Sequence, residues 1–161
     1  MDIVTNASPL ILLDKINRLR LFNSLYDTVY IPSAVLQEIN QIGKPTIDLS
    51  SLYFQPLNVA NQLAVLGLLG RLHNGEVEVM IGAIEQNIQT VVLDDNAARN
   101  KAKQLGLEVT GTLGILLEAY KKGLIDDLKQ EIVNLKSAGM FLSDEIIKKI
   151  MYSQGLCFEG N

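Results

Sequence analysis

The sequence predicts an α/β fold, a three-layer α/β/α sandwich with a central, mainly parallel sheet. Short β-branched and apolar segments, which are typical of buried strands, alternate along the chain with segments whose apolar residues recur at helical spacing. Strands that are separated by helices form parallel βαβ units. No internal repeat and no linker-like segment interrupts this order, so residues 1–161 are predicted to form one domain.

In the first half of the chain, each predicted strand runs directly into a helix. Asp2–Thr5 is predicted as a strand that ends at Asn6. Ser8 is then predicted as the N-cap of a helix with Pro9 as its first residue, because these residue types are common at those positions. The other elements predicted in this half are a helix at Leu19–Leu25, a strand at Thr28–Ile31, a helix that begins at Pro32, and an irregular connection over residues 41–58 with a short strand at Leu52–Gln55.

The second half continues the alternation and contains the clearest central strand, Thr90–Leu93, which ends at Asp94 and Asp95. Gly106 is predicted to stop the helix that follows. The other predicted elements are helices at Asn61–Leu69, Glu76–Asn87 and Ala97–Leu105, a strand at Leu107–Thr110, a helix from Thr112 to Lys122, and helices near Asp126–Ser137 and Ser143–Ser153.

Composition excludes several classes of protein. Apolar residues make up 48% and charged residues 20% of the chain, which excludes a disordered protein. The formal net charge of −4 and the pI of about 5.0 argue against binding along a nucleic acid through a broad basic face. The acidic start has no secretory pattern, and no apolar stretch approaches the ~20 residues that span a bilayer. The single cysteine, Cys157, cannot form an internal disulfide, so a cytoplasmic protein with no membrane partner is expected.

Acidic side chains are predicted to converge at one edge of the sheet. Asn6 and the pair Asp94-Asp95 follow strands, and ligands of parallel sheets bind beyond the carboxyl ends of the strands. The helix that begins at Glu76 starts at the same edge, and Glu38 lies about two turns into the helix after the second strand. Close carboxylates repel each other unless a cation neutralises them, and Mg²⁺ and Mn²⁺ prefer such oxygen ligands. Because such a metal activates water against a phosphodiester, the pattern indicates hydrolysis of a phosphate ester.

Each of these residues also has an ordinary structural explanation. Asp94 or Asp95 can cap the following helix, and Glu76 and Glu78 can complement the dipole of their own helix. In the same way, Glu38 can be a solvated helix residue, Ser8 can be a helix cap, and His73 can be a surface residue. Arg99 can form an ion pair with Asp95, or it can contact a phosphate. These explanations do not account for the position of the acids at the same end of one sheet.

Several segments together resemble the PIN domain family. They are Val4-Thr5-Asn6-Ala7-Ser8-Pro9-Leu10-Ile11, Ile31-Pro32-x-x-Val35-x-x-Glu38, Gly75-Glu76-x-Glu78-x-x-Ile81-x-Ala83, Val91-Val92-Leu93-Asp94-Asp95 followed by Ala98-Arg99, Val109-x-Gly111-Thr112-Leu113-Gly114, and Gly139-x-x-Leu142-Ser143. The first is similar to the strand ending in Asp-x-Ser with which PIN domains open. The order and spacing of the segments resemble a PIN-like branch near the toxins of bacterial and archaeal toxin–antitoxin pairs.

The resemblance implies a ribonuclease that depends on Mg²⁺ or Mn²⁺, often forms a homodimer, and is restrained by a small antitoxin. It implies that Glu38, Glu78 and Asp95 share the metals, with Asp94 or Glu76 as auxiliary ligands, and that Ser8 helps to hold the water or phosphate. Arg99, from its position after Asp95, is the candidate for contact with the nucleic-acid phosphate. The sequence departs from the family pattern at Asn6, where active PIN nucleases usually have Asp. Asn can ligate a metal through its carbonyl oxygen but contributes no negative charge.

Three functions are compatible with these residues. The first is a metal-dependent endoribonuclease, and the second is a PIN-like module that binds RNA or a partner protein without cleaving, which Asn6 and the low pI favour. The third, a phosphatase or receiver domain, fits less well because the first strand has no Asp-x-Asp pair and Asn6 cannot form an aspartyl phosphate.

The sequence also predicts a homodimer. Leu63–Leu69 is apolar nearly all round, and such a helix needs a cover that a small domain does not provide on every side. The same argument applies to the adjacent Ile11, Leu12 and Leu13 of the first helix. Alternatively, the C-terminal helices cover both segments.

Overall fold

A computed structural model describes residues 1–41 and 47–156. Residues 42–46, which belong to the connection predicted over 41–58, and Cys157 lie outside the described residues. The strands are β1 (Ile3–Thr5), β2 (Val29–Pro32), β3 (Gln55–Leu57), β4 (Thr90–Val92) and β5 (Glu108–Thr110). The helices are α1 (Ala7–Lys15), α2 (Leu21–Leu25), α3 (Ser33–Ile39), α4 (Gln62–Leu68), α5 (Asn74–Glu85), α6 (Asn96–Gln104), α7 (Thr112–Lys121), α8 (Leu128–Ser137) and α9 (Asp144–Ser153), with a 3₁₀ turn at Leu49–Ser51.

The five strands form one parallel sheet in the order β3-β2-β1-β4-β5. Helix α5 packs against β1, β2 and β4, and α4 and α6 contact α5. Helix α7 packs against β5 and contacts α1, α2 and α8, while α3 touches both α1 and α5. Because parallel crossovers are right-handed, the two groups of helices cover opposite faces of the sheet. The predicted three-layer α/β/α fold is therefore confirmed.

The middle strands are buried on both faces, which explains their continuous apolar sequences. Ile3, Val4, Val29 and Val91 have no exposed surface and belong to the main core. Strand β3 is an edge strand, and its register places Gln55 beside Tyr30 of β2. The strand predicted at Leu52–Gln55 therefore lies further along the chain than expected, and Pro56 is tolerated in it because an edge strand needs hydrogen bonds on only one side.

Helix α1 begins two residues earlier than predicted, at Ala7 instead of Pro9. Its N-cap is Asn6, whose backbone is extended at φ −89° and ψ 174°, so Ser8 lies inside the first turn. The prediction that Ser8 caps this helix is wrong. The reason is that β1 still pairs with β4 at Asn6, whose N–H donates to the carbonyl oxygen of Val92, and the chain turns into the helix immediately afterwards.

The two apolar helix segments differ in their burial. Leu12 and Leu13 of α1 are buried in the main core and Ile11 packs against it, so the expectation that this segment needs an outside cover is wrong. On α4, Val65 is buried in a small second cluster, whereas Leu63 is 82% exposed. Among the described residues, no helix is long and apolar enough to cross a membrane.

Candidate functional site

A cleft of about 590 Å³ opens at the carboxyl ends of β1 and β4. Helix α3 contributes to it through its last turn and α5 through its first turn, and the loop between α8 and α9 forms another wall. The polar and charged residues that line it are Asn6, Ser8, Lys15, Glu38, Glu76, Asp94, Asp95 and Asn96. The structure thus brings most of the predicted site residues together, but neither Glu78 nor Arg99 lines this cleft.

Asn6 presents a buried oxygen to this region. The residue is 8% exposed, and its Oδ1 accepts no hydrogen bond from any described group. An N-cap side chain normally accepts a hydrogen bond from the first turn of its helix, but the side chain of Asn6 makes no such bond. Leaving a buried acceptor unsatisfied costs about 1–3 kcal/mol, so this oxygen is in a position that a bound group would stabilise.

Gly75 allows Asn6 and Glu38 to approach α5 closely. A Cβ atom on Gly75 would lie 3.1 Å from Asn6 Oδ1 and 3.3 Å from Glu38 Oε2. Both oxygens are therefore close to the same point on the first turn of α5. The same Cβ atom would lie 3.3 Å from a methyl group of Val35, so any residue larger than glycine at position 75 would disturb this arrangement.

Glu76 contributes the acid from α5. It is 6% exposed, and its Oε2 accepts a hydrogen bond of 2.9 Å from the backbone N–H of His73. Burial raises the pKa of Glu76, and the nearby carboxylates of Asp95 and Glu38 raise it further, whereas the His73 contact lowers it. Asp95 and Glu38 are thus each close enough to Glu76 to disfavour its negative charge, which is the electrostatic condition that a cation relieves.

Glu78 does not line the cleft and contacts the start of α3 instead. Its Oε2 accepts a hydrogen bond of 2.9 Å from the N–H of Ala34, in the first turn of α3. Residues two apart on a helix point about 200° apart around its axis, so Glu76 and Glu78 cannot both face the cleft. The N-cap residue of α3, Pro32, has no side chain that can accept a hydrogen bond from the first turn, and Glu78 supplies this negatively charged acceptor. Glu78 therefore stabilises the helix that carries Glu38.

Asp94 and Asp95 have separate structural partners. Asp95 is the N-cap of α6, and its Oδ1 accepts from the N–H of Ala98 at 2.9 Å. Asp94 accepts from the N–H of Thr112 at 2.8 Å and from its hydroxyl at 2.6 Å. Ser8 Oγ also donates to Asp94, at 3.3 Å. Asp94 therefore connects the first turns of α1 and α7, while Asp95 has one oxygen that does not cap α6.

Arg99 is half-buried behind this edge. Its Nη1 donates to the carbonyl oxygen of Leu93 at 2.8 Å, and its side chain lines a second cavity together with Asp94. A Cβ atom on Gly111 would lie 2.8 Å from Arg99 Nη1 and 2.7 Å from Asp94 Oδ1. A glycine is needed there because both side chains approach the backbone that starts α7.

The comparison with protein families identifies this fold. A family model for the PIN domain matches residues 2–155. The chain belongs to the PIN domain family. This confirms the resemblance inferred from the motifs and places the chain among proteins with a nuclease-type fold. No curated protein matches the chain.

The donor atoms of this PIN domain fit a hydrated divalent cation. Asn6 supplies a buried oxygen without a partner, and Glu38, Glu76 and Asp95 supply carboxylates from three helices. Within residues 1–41 and 47–156, no three His, Cys, Asp or Glu side chains are close enough together to hold an ion by themselves. Mg²⁺ keeps several waters and needs only one or two carboxylates, so an open set of this kind suits it better than a closed cage would.

Two features of the PIN site were not predicted from the sequence. One is Thr112, which holds Asp94 with both its N–H and its hydroxyl; the Gly111-Thr112 turn was the only sequence signal for it. The other is the loop between α8 and α9, tied to α1 by a hydrogen bond of 3.1 Å from Lys15 Nζ to the carbonyl oxygen of Ala138. Nothing in the local sequence indicates that this distant loop reaches the sheet edge.

Proposed function

We propose that the chain is a metal-dependent endoribonuclease of PIN type, in which Asn6, Glu38, Glu76 and Asp95 hold Mg²⁺ or Mn²⁺. The observation that carries the proposal is the unpartnered Oδ1 of Asn6, buried beside Glu38 where Gly75 leaves room for both. Membership of the PIN family supports a nuclease. Glu78, which the resemblance favoured as a ligand, is replaced in this proposal by Glu76, because Glu78 already binds the N-terminus of α3.

The residues around the cation have distinct tasks. A bound divalent metal would lower the pKa of an attacking water and neutralise charge on the phosphate. Glu38 and Asp95 would supply negative charge from α3 and α6, and a bound cation would relieve the repulsion that these two acids exert on Glu76. Ser8 and Thr112 keep Asp94 in place, so Asp94 aligns α7 with the cleft.

Cleavage of single-stranded RNA in the presence of Mn²⁺ tests this proposal. Glu38→Gln should abolish cleavage, since it removes one negative ligand and keeps the size of the side chain. Glu145→Gln is the matched control, because Glu145 is exposed and pairs with Lys149 on α9. We expect products with a 5′-phosphate, and an anomalous Mn²⁺ signal next to Asn6 Oδ1 in soaked crystals. Cleavage that survives Glu38→Gln, or a manganese ion bound elsewhere, would overturn the assignment.

A binding module without cleavage is the second candidate. Asn6 favours it, because a neutral amide at the first position holds a cation less tightly than a carboxylate would. RNA binding by the wild type, with no cleavage in Mg²⁺ or Mn²⁺, would support this function.

The partner assignments also remain proposals. We propose that the nuclease is a toxin component that a small antitoxin holds in check, and that it forms a homodimer through α4. The exposed side chains of Leu63, Leu66 and Leu69 support a protein contact at that helix. Copurification with the product of a neighbouring small gene would test the antitoxin, and the solution mass would test the dimer.

A further inference from the structure

A second cavity adjoins the cleft that holds the acids. It measures about 570 Å³, which is within the range of roughly 300–1,000 Å³ common for ligand sites. Apolar side chains of β5, α7, α9 and the loop between α8 and α9 line it, together with the polar side chains of Arg99 and Asp94. Both cavities are lined by Asp94, Asn96, Met140 and Phe141. A chain bound across the acids would therefore continue directly into the second cavity.

Phe141 lies where the two cavities meet. Its side chain is 92% exposed, the highest value among the large apolar residues of the described chain. The loop that carries it is anchored on both sides: Met140 N–H donates to the carbonyl oxygen of Leu135 at 3.0 Å, and Leu142 is buried in the core. Ser143 then caps α9. The ring is thus presented to solvent by a well-anchored loop, and its exposure is not explained by fraying.

The charge of the molecule limits how it can bind RNA. A net charge of −4 provides no broad basic surface, so the release of counterions from phosphates can contribute little affinity. Stacking of bases on aromatic side chains does not depend on charge, and it occurs only with bases that are not already stacked in a duplex. An exposed ring beside an acidic cleft is therefore the feature best suited to bind a single strand.

We propose that Phe141 is the stacking platform for a base of single-stranded RNA next to the phosphate in the cleft, and that the second cavity receives this base. The proposal rests on the proposed nuclease function and names the residue that would bind a base of its substrate. Arg99 lines the same cavity, and its Nη1 donates to the carbonyl oxygen of Leu93.

The test measures binding of a labelled single-stranded oligoribonucleotide by fluorescence anisotropy, with Ca²⁺ in place of Mn²⁺ so that a cation balances the acids while cleavage is suppressed. Phe141→Ala should weaken binding roughly 5- to 150-fold, the range expected for the loss of one stacked base. Phe141→Trp should restore it. Because stacking is not screened by salt, the ratio between wild type and Phe141→Ala should be similar at low and high salt. A duplex of the same sequence should bind more weakly than the single strand.

Tyr152→Ala is the matched control. Tyr152 is 68% exposed on α9 and lines neither cavity, so its loss should leave RNA affinity unchanged. Circular dichroism checks that both variants are folded. The platform is refuted if Phe141→Ala binds RNA like the wild type, if the wild type does not bind single-stranded RNA, or if the only effect of the change is on self-association, which would make this loop a protein interface.

The failure of the nuclease function can be recognised separately. Hydrolysis of bis(p-nitrophenyl) phosphate by the wild type with Mn²⁺ needs the acids but no base-stacking site. If the wild type shows stacking-dependent RNA binding and no hydrolysis, the platform stands and the nuclease proposal fails. If the wild type hydrolyses the ester while Phe141→Ala binds RNA like the wild type, the nuclease proposal stands and the stacking platform fails.

Discussion

Asn6 combines burial with an unsatisfied oxygen. Its amide can supply one oxygen to a cation without adding to the charge of three nearby acids. In the metal-free protein this neutrality is favourable, because a further carboxylate would add to the repulsion around Glu76. In the proposed metal-bound protein it would be a disadvantage, since the proposed ligand set has one negative charge fewer.

Asn6→Asp should therefore tighten Mn²⁺ binding by about tenfold or more and raise the rate of RNA cleavage, since affinity follows the charge of the ligands. Titration calorimetry on the two forms gives the affinities directly. Asn100→Asp, at an exposed position on α6, adds the same charge away from the cleft and should change neither quantity. Equal affinity of the wild type and Asn6→Asp would mean that Asn6 is not a ligand.

The raised pKa of Glu76 predicts a pH-dependent stability of the metal-free protein. The folded chain binds a proton at Glu76 more tightly than the unfolded chain does, so the folded state loses stability as pH rises from about 4.5 through the raised pKa. Glu76→Gln keeps an acceptor for the N–H of His73 and does not titrate. The free energy of unfolding of Glu76→Gln minus that of the wild type should therefore increase over this window.

Urea denaturation in EDTA at several pH values measures this difference. Added Mn²⁺ should stabilise the wild type more than Glu76→Gln, because the substitution removes one negative ligand from the proposed site. A difference that stays constant from acid to neutral pH would show that Glu76 has an ordinary pKa in the folded chain.

At the scale of elements, α5 has different tasks on its two faces. Its first turn places Glu76 in the cleft, and Glu78, on the opposite face, accepts a hydrogen bond from the N-terminus of α3. Glu85, near its end, accepts from the N–H groups of Ala60 and Asn61 just before α4. One helix thus supplies an acid and also positions its two neighbours.

Two helical glycines give a matched test of this arrangement. In an open helical position, glycine to alanine stabilises by about 0.5–1 kcal/mol, and a Cβ on Gly67 would meet nothing within 4 Å. Gly67→Ala should therefore increase the free energy of unfolding. Gly75→Ala should not increase it, because the new methyl group would press on Asn6 and Glu38. Gly75→Ala should also weaken Mn²⁺ binding. Urea denaturation and calorimetry measure both effects; a Gly75→Ala protein as stable as Gly67→Ala, with unchanged Mn²⁺ affinity, would contradict the close approach.

At the scale of the whole molecule, α4 is the place to test self-association. Leu63 and Leu66 are 82% and 63% exposed, while Val65 anchors the helix to its small cluster. We expect light scattering at micromolar concentration to give the mass of a dimer, and Leu63→Glu to give that of a monomer without loss of folding. Ile146→Glu, on the exposed side of α9, is the control and should leave the dimer intact. A wild-type monomer would reject the dimer.

The alternation of apolar strands and amphipathic helices was enough to predict the fold, because strand and helix periods are local properties of the chain. The position of β3 in the sequence was predicted incorrectly, because pairing with β2 determines which residues form this edge strand. The start of α1 was missed for a similar reason, since the ladder between β1 and β4 determines where Asn6 can leave the sheet.

The sequence by itself determined which residues could form the site: an amide after β1, an acid near the end of α3, two acids at the start of α5, and two after β4. Only the tertiary structure decided their roles. Glu76 and Glu78 have similar sequence contexts, and the way α5 packs on β1, β2 and β4 determines which of them faces the cleft. Asp94 and Asp95 were likewise indistinguishable until Thr112, from a segment after the next strand, bound one of them. Packing between segments that are distant in sequence determines which of two similar side chains enters the cleft, and a local sequence pattern cannot predict this.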